Sequence, residues 1–281
     1  MYVRGDVDSD RAGFAYKPAR VRHPRRTTGA ACLAMAAVFT LVGGPAQAAT
    51  SGDRCGFVTI IGVRGSGESA GSGSGVTPYT YAQGTGGFGP RLAGVMQLLK
   101  DDPNLPVYEE ALRYPATIVP NLVDPNYFLS ERQGVGVLRA EINSLAANCP
   151  STNIQLAGYS QGAHVIGDVL ADKNALSLHA RTLLDGVVLF GDPTYRDGER
   201  WNADGNGSGH GIFVRAEGAF DGYAKASTLS SFPIAMVRSW CVENDRFCQS
   251  GDSEAAHESY SNSYTQRLAY GFLESFLYSA D

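Results

Sequence analysis

The chain has 281 residues, with 23 lysines and arginines against 28 aspartates and glutamates, a net charge of −5. A mild acidic balance without a basic patch argues against a nucleic-acid binder. The length is that of one α/β domain with a sizeable core, and no internal repeat, low-complexity tail or second hydrophobic span points to anything else.

The first segment has the order of a secretory leader. Arg20, Arg22, Arg25 and Arg26 precede an apolar run from Ala30 to Val42, and Ala46-Gln47-Ala48 supplies small residues for cleavage. The run is shorter than the roughly 20 residues a membrane span needs. Residues 1–48 are therefore expected to be removed and 49–281 to form a single exported domain, with either the general route or a twin-arginine route open for Arg25-Arg26. Phe57–Val63 is a continuous β-branched run and predicts a buried strand, followed by a glycine- and serine-rich loop from Arg64 to Gly89. Pro90 opens a helical stretch carrying Leu92, Val95, Met96 and Leu99 on one face. Pro106–Tyr114 predicts a second strand, and Val135, Leu138, Ile142 and Leu145 recur at helical spacing. Strands are expected at Ile154–Ala157, Gly186–Phe190 and Ile234–Trp240, with a helix at Gly162–Leu170. A final amphipathic helix over Ser263–Tyr278 should bury Leu268, Phe272, Phe276 and Leu277. Strands alternating with helices predict a central parallel sheet flanked by helices on both faces, with functional groups at the carboxyl ends of its strands.

Gly158-Tyr159-Ser160-Gln161-Gly162 fits G-x-S-x-G between a predicted strand and a predicted helix. That context is the one in which a serine hydroxyl stands exposed at a sharp turn. A serine needs a base to take its proton, and in such folds the orienting acid and the histidine follow the serine in that order. His257 lies between the last strand and the last helix, where the order requires the base. His210, in the glycine loop 204–211, is its main competitor, whereas His164 lies on the helix that Ser160 starts and His179 in a connection. Asp245 is the favoured orienter, with Glu243, Asp252 and Glu254 as alternatives. Ionised, it would fix the imidazole tautomer and stabilise the imidazolium that forms. The histidine must be neutral to act, so activity is expected to rise with pH through the range in which histidines titrate. The N–H of Gln161 and the loop Arg64–Glu68 are placed to donate to a developing oxyanion. Residues 202–209 faintly resemble a calcium loop but lack its bidentate glutamate, so a plain turn and no metal is expected.

Once the leader is removed, four cysteines remain: Cys55, Cys149, Cys241 and Cys248. An even number in an exported chain predicts two disulfides, and three pairings are possible. The proximity of Cys241 and Cys248 favours a local loop, which leaves Cys55 for Cys149.

Together these residues resemble the cutinases and cutinase-like esterases, with the related acetylxylan esterases, over roughly Cys55 to Tyr278. The likeness rests on Gly-Tyr-Ser-Gln-Gly at 158–162, Arg64-Gly65-Ser66 after the first strand, Cys149 before the nucleophile strand, Asp245 inside the Cys241–Cys248 loop, and His257 at the expected distance. The resemblance implies a lidless α/β-hydrolase fold and a secreted carboxylic-ester hydrolase without cofactor or metal, with a monomer the default expectation. Its substrate would be a polyester, a lipid-like ester or an acylated polysaccharide, and no stable membrane insertion is expected. Ser66, through its hydroxyl and backbone, and Gln161 would form the oxyanion hole, and Cys55–Cys149 and Cys241–Cys248 would be the disulfides. Members that attack polyesters carry an apolar rim before the histidine, but residues 249–256 here are polar and acidic. Pro125–Leu129 is the segment expected to provide an apolar wall, and the glycine-rich segments 71–89 and 196–231 receive no role.

Overall fold

A computed structural model describes residues 53–121, 123–226 and 233–277. The expected leader, Tyr278 and residues 227–231 of the second glycine-rich segment lie outside the described residues. Six strands form the main sheet in the order β2-β3-β1-β4-β5-β8: β2 (Thr80–Tyr81), β3 (Val107–Leu112), β1 (Val58–Val63), β4 (Asn153–Tyr159), β5 (Leu184–Phe190) and β8 (Val237–Trp240). All pairings are parallel except β2 with β3.

Both faces are covered, so the central strands are mainly apolar on both sides, as parallel strands require, with the buried polar exceptions Thr59, Gln155 and Asp185 each hydrogen-bonded. Along β1, Ile61 and Val63 join one core with Leu156, Val187 and Leu189. Val58 and Ile60 join the opposite core with Ala157, Val188 and Phe190. The first core is closed by α2 (Pro125–Asn148), α3 (Gln161–Ala171) and α4 (Leu178–Leu183), the second by α1 (Ala93–Asp101) and α6 (Ser263–Leu277). α2 starts where Asp124 accepts a hydrogen bond from Asn126 N and Pro125 takes the first turn, an arrangement that satisfies an otherwise orphaned N–H.

The structure corrects the sequence in four places. The expected strand 234–240 is broken at Met236: β7 (Ile234–Ala235) pairs with β6 (Ala224–Lys225) in a separate ribbon, and only β8 enters the main sheet. Residues 178–183, around His179, form a helix rather than a connection. On α6, Leu268 is exposed, and Ala269 and Leu273 supply the apolar face with Phe276 and Leu277. The polar run before His257 ends in a short helix, α5 (Glu254–Glu258). No described helix is long and apolar enough to cross a membrane.

Two disulfides are present, Cys55–Cys149 and Cys241–Cys248. The first closes a separation of 94 residues and ties the start of β1 to the start of β4, and the second closes a loop of separation 7 around Asp245.

Candidate active site

Ser160 stands between β4 and α3 with φ 52° and ψ −119°, a conformation that side chains rarely adopt and that the surrounding chain must enforce. The neighbouring glycines permit it. A Cβ on Gly162 would lie 1.9 Å from the carbonyl oxygen of Val63 and 2.6 Å from that of Arg64, and one on Gly158 would lie 2.9 Å from the backbone of Ala163.

His257 Nε2 lies 2.9 Å from Ser160 Oγ, and its Nδ1 lies 2.9 and 3.0 Å from the two oxygens of Asp245. Both Asp245 and His257 are buried. Asp245 Oδ1 also accepts from the N–H groups of Phe247 (2.7 Å) and Cys248 (3.1 Å), and Oδ2 accepts from the hydroxyl of Tyr260 at 2.7 Å. Burial pushes this carboxyl up, but the bonds from His257, Phe247 and Tyr260 outweigh it and hold the group below its ordinary value. An ionised Asp245 can only accept, so Nδ1 carries the proton and the free pair on Nε2 faces the serine hydroxyl. The imidazole is wedged between Phe247, with ring centroids 4.4 Å apart, and Tyr159, at 5.1 Å, and rests on Gly191, where a Cβ would come within 2.9 Å of the ring.

The competitors lie elsewhere. His210 Nδ1 accepts from Asp197 N, a contact that braces the glycine loop. Glu243, Asp252 and Glu254 are exposed, and Asp252 accepts from Asn244. Residues 202–209 form turns, with Asn206 bonded to Tyr195, Ser239 and Cys241.

The loop after β1 approaches from the other side: a Cβ on Gly65 would lie 3.3 Å from Ser160 Cβ. Arg64 fastens this loop by donating to the carbonyls of Glu68, Leu112 and Tyr114, while the Tyr114 hydroxyl donates back to Arg64 O at 2.5 Å. Ser66 Oγ is buried without a partner among the described residues and lines the same cleft as Ser160. Gln161 is the first residue of α3, where N–H groups have no intrahelical acceptor, and its side chain is held by Ser130 and Tyr127.

These residues open into a cleft of about 530 Å³. Ile118, Val119, Val123, Ile212, Phe213 and Phe247 supply its apolar lining. Ile118 and Val123 are 74% and 77% exposed. This corrects the expectation for Pro125–Leu129. Tyr127 is buried and hydrogen-bonded to His164, and Phe128 packs behind Phe213 with ring centroids 5.0 Å apart. The glycine-rich segment 196–231 has a role after all, because it delivers Ile212 and Phe213. Sequence reasoning missed Tyr260 and these apolar residues. A tyrosine three positions after the histidine was the one available signal for Tyr260.

One group among the described residues has the composition of a metal site. Glu131 on α2 and His164 and Asp168 on α3 bring ligand atoms within 4.8 Å of one another, with His164 one turn along α3 from Ser160. Arg215 already pairs with Asp168 and lies 3.7 Å from Asp192. Burial, reinforced by Asp168, pushes Glu131 up to about 7, and burial lowers His164. Of the three, Asp168 is the one engaged by an arginine, and its side chain is 40% exposed.

The cutinase family model matches residues 54–276. The chain belongs to the cutinase family. It is 29% identical to acetylxylan esterase 2 of Talaromyces purpureogenus over 174 residues, 57% of this chain and 70% of that one. It is 28% identical to cutinase 11 of Verticillium dahliae over 152 residues, 50% of this chain but 48% of the relative, so it spans about half of that protein. It is 25% identical to carboxylesterase Culp1 of Mycobacterium tuberculosis over 238 residues, 84% of this chain and 89% of that one. The catalytic core of the acetyl xylan esterase from Trichoderma reesei superposes with a TM-score of 0.60 at 23% identity, covering 79% and 99% of the two chains. A cutinase-like protein from Cryptococcus sp. gives 0.57 at 21%, covering 83% and 100%. These two structures bear on the fold, which is that of a cutinase-like α/β-hydrolase. The cutinase-family chain is a serine carboxylic ester hydrolase.

Proposed function

We propose that this cutinase-family enzyme hydrolyses carboxylic esters through an acyl-enzyme on Ser160. His257 takes the hydroxyl proton through Nε2 as Ser160 Oγ attacks the ester carbonyl. Asp245 holds the imidazole in the Nδ1–H tautomer and stabilises the imidazolium. The Gln161 N–H and Ser66 donate to the carbonyl oxygen as it becomes an oxyanion. The proton on Nε2 passes to the departing alcohol. Water, deprotonated by the same nitrogen, then attacks the acyl carbonyl and releases the acid with Ser160 restored. The observation that carries this reading is the pair of 2.9 Å contacts through one imidazole, to Ser160 Oγ and to Asp245 Oδ2, at the floor of an open cleft.

The apolar cleft walls favour short- to medium-chain acyl groups or polyester chains. A second reading, removal of acetyl groups from a polysaccharide, is supported by the likeness to an acetylxylan esterase. Export of residues 49–281 after loss of 1–48 accords with two disulfides, which persist in oxidising compartments. The test is hydrolysis of p-nitrophenyl esters from acetate to palmitate by residues 49–281 and by Ser160→Ala. Activity in the first and none in the second is expected. A maximum above acetate supports the main reading, and confinement to acetate supports the second. Unchanged activity in Ser160→Ala would overturn both.

A further inference from the structure

Arg91, in the corner just before α1, touches three segments that each carry a different part of the proposed machinery. Its Nη1 lies 3.5 Å from Glu68 Oε1, at the end of the loop that holds Ser66. Its Nη2 lies 3.2 Å from Glu258 Oε1, the residue after His257. Its Cζ lies 5.6 Å from the centre of the Tyr159 ring, beside Ser160. Tyr159 in turn donates its hydroxyl to the carbonyl of His257 at 3.0 Å.

The surroundings are built for this arrangement. Gly89 takes φ 71°, and a Cβ there would stand 2.1 Å from Glu68 Oε2, so the corner is shaped around the carboxylate. Gln266 on α6 donates to the carbonyl of Arg91 at 2.8 Å and to that of Tyr260 at 2.6 Å, and accepts from Val95 N at 2.6 Å. The backbone of Arg91 is thus fixed to the same residue that braces Asp245. Glu68 receives the N–H of Gly65 on Oε2 at 2.7 Å, and Oε1 lies 3.5 Å from the Arg91 guanidinium. Its side chain is 5% exposed, so burial pushes the carboxyl up, and the Gly65 N–H and Arg91 are what counter that.

We infer that Arg91 is a positioning residue: one guanidinium sets the spacing between the oxyanion-hole loop, the nucleophile turn and the helix that carries the base. A planar, delocalised cation can meet two carboxylates with different nitrogens while its face covers a ring, which an ammonium cannot do. Arg91 lines the cleft beside Glu68, Tyr159 and Glu258, but its guanidinium is engaged by those residues of the chain, so a positioning role puts the effect on the chemical step, and an unchanged KM separates it from substrate binding. This inference rests on the roles proposed above for Ser160, His257 and Ser66.

The test is steady-state kinetics and the rate of Ser160 labelling by a phosphonate ester, for the wild type, Arg91→Met, Arg91→Lys and Ser160→Ala. In Arg91→Met, kcat and the labelling rate should fall about ten-fold with KM within about two-fold, inside the 10²-fold that a displacement of ~1 Å can cost. Arg91→Lys, able to reach one carboxylate at a time, should recover part of the loss. If Arg91→Met lowers thermal stability but leaves kcat and labelling unchanged per folded molecule, Arg91 is merely structural and the inference fails. If Arg91→Met does not fold, the same reading is taken from Arg91→Lys, where wild-type kcat overturns it. If Ser160→Ala retains activity, the underlying reading fails instead, so the two failures are distinguishable.

Discussion

Replacing Tyr260 by phenylalanine removes one oxygen and leaves the ring in place. That oxygen donates to Asp245 Oδ2 at 2.7 Å and accepts from Val242 N at 2.9 Å, and the side chain is fully buried. A hydrogen bond to a charged group contributes about 1.5–3 kcal/mol, and a stranded buried N–H costs about 1–3 kcal/mol. Both effects pass through one atom and do not add in full, so we expect a loss of about 2–4 kcal/mol. A domain with total stability on the order of 5–15 kcal/mol stays folded after such a loss. Part of the loss depends on pH, and its sign follows from Asp245. A carboxyl held below its unfolded value stabilises the protein above the ordinary carboxylate range, and that contribution disappears as pH falls through the folded value. Without the tyrosine hydroxyl the depression is smaller. The gap between wild type and Tyr260→Phe should therefore be widest near neutrality and shrink with acidification, leaving the Val242 part. Urea unfolding at intervals from about pH 7 to about pH 3 measures it. A gap below about 0.5 kcal/mol, or one that does not change with pH, refutes the reasoning.

Gly162→Ala places a Cβ 1.9 Å from one backbone carbonyl oxygen and 2.6 Å from another, so it should cost about 3 kcal/mol or more, read by urea unfolding, and displace Ser160. Glu131 keeps its proton up to about 7 in the folded state while the unfolded chain releases it at the ordinary carboxylate value. Stability should accordingly fall as pH rises across that window, and Glu131→Gln should flatten the slope in a series of melting temperatures. Phe213→Ala removes an apolar wall of the cleft, and the preference in kcat/KM for medium-chain over acetyl esters should drop about 10-fold.

The fold was legible where burial is two-sided. β1, β4 and β5 are mainly apolar on both faces because helices cover both, and that leaves an unmistakable run in the sequence. Short edge elements leave no such run. β2 has two residues, and β7 departs from the sheet at Met236 although Ile234–Trp240 reads as one strand. The positions of Ser160, Asp245 and His257 were readable because chain order and the small cysteine loop constrain them. Tyr260 was not, since a tyrosine in a polar stretch carries no sign of whether its hydroxyl points inward. The cleft walls were misassigned for a related reason. Ile118, Val123, Ile212 and Phe213 sit on loops, where no periodicity says which side chains turn toward one another.

The two most legible motifs are one object in three dimensions. The carbonyls that a Cβ on Gly162 would strike belong to Val63 and Arg64, at the end of β1 and the start of the Ser66 loop. β1 and β4 run in parallel register with Val63 opposite Gly158, so the turn carrying Ser160 and the loop carrying Ser66 leave the sheet side by side. The absence of a side chain at Gly162 lets α3 start against the carbonyls of Val63 and Arg64, where the Ser66 loop begins. Main-chain contact of this kind demands glycine at fixed positions and therefore writes itself into the sequence. An apolar wall demands only some hydrophobic residue at the right height, and many sequences satisfy it. The chemistry of this site is thus encoded by backbone geometry, and substrate preference by side chains whose placement emerges only once the loops are folded.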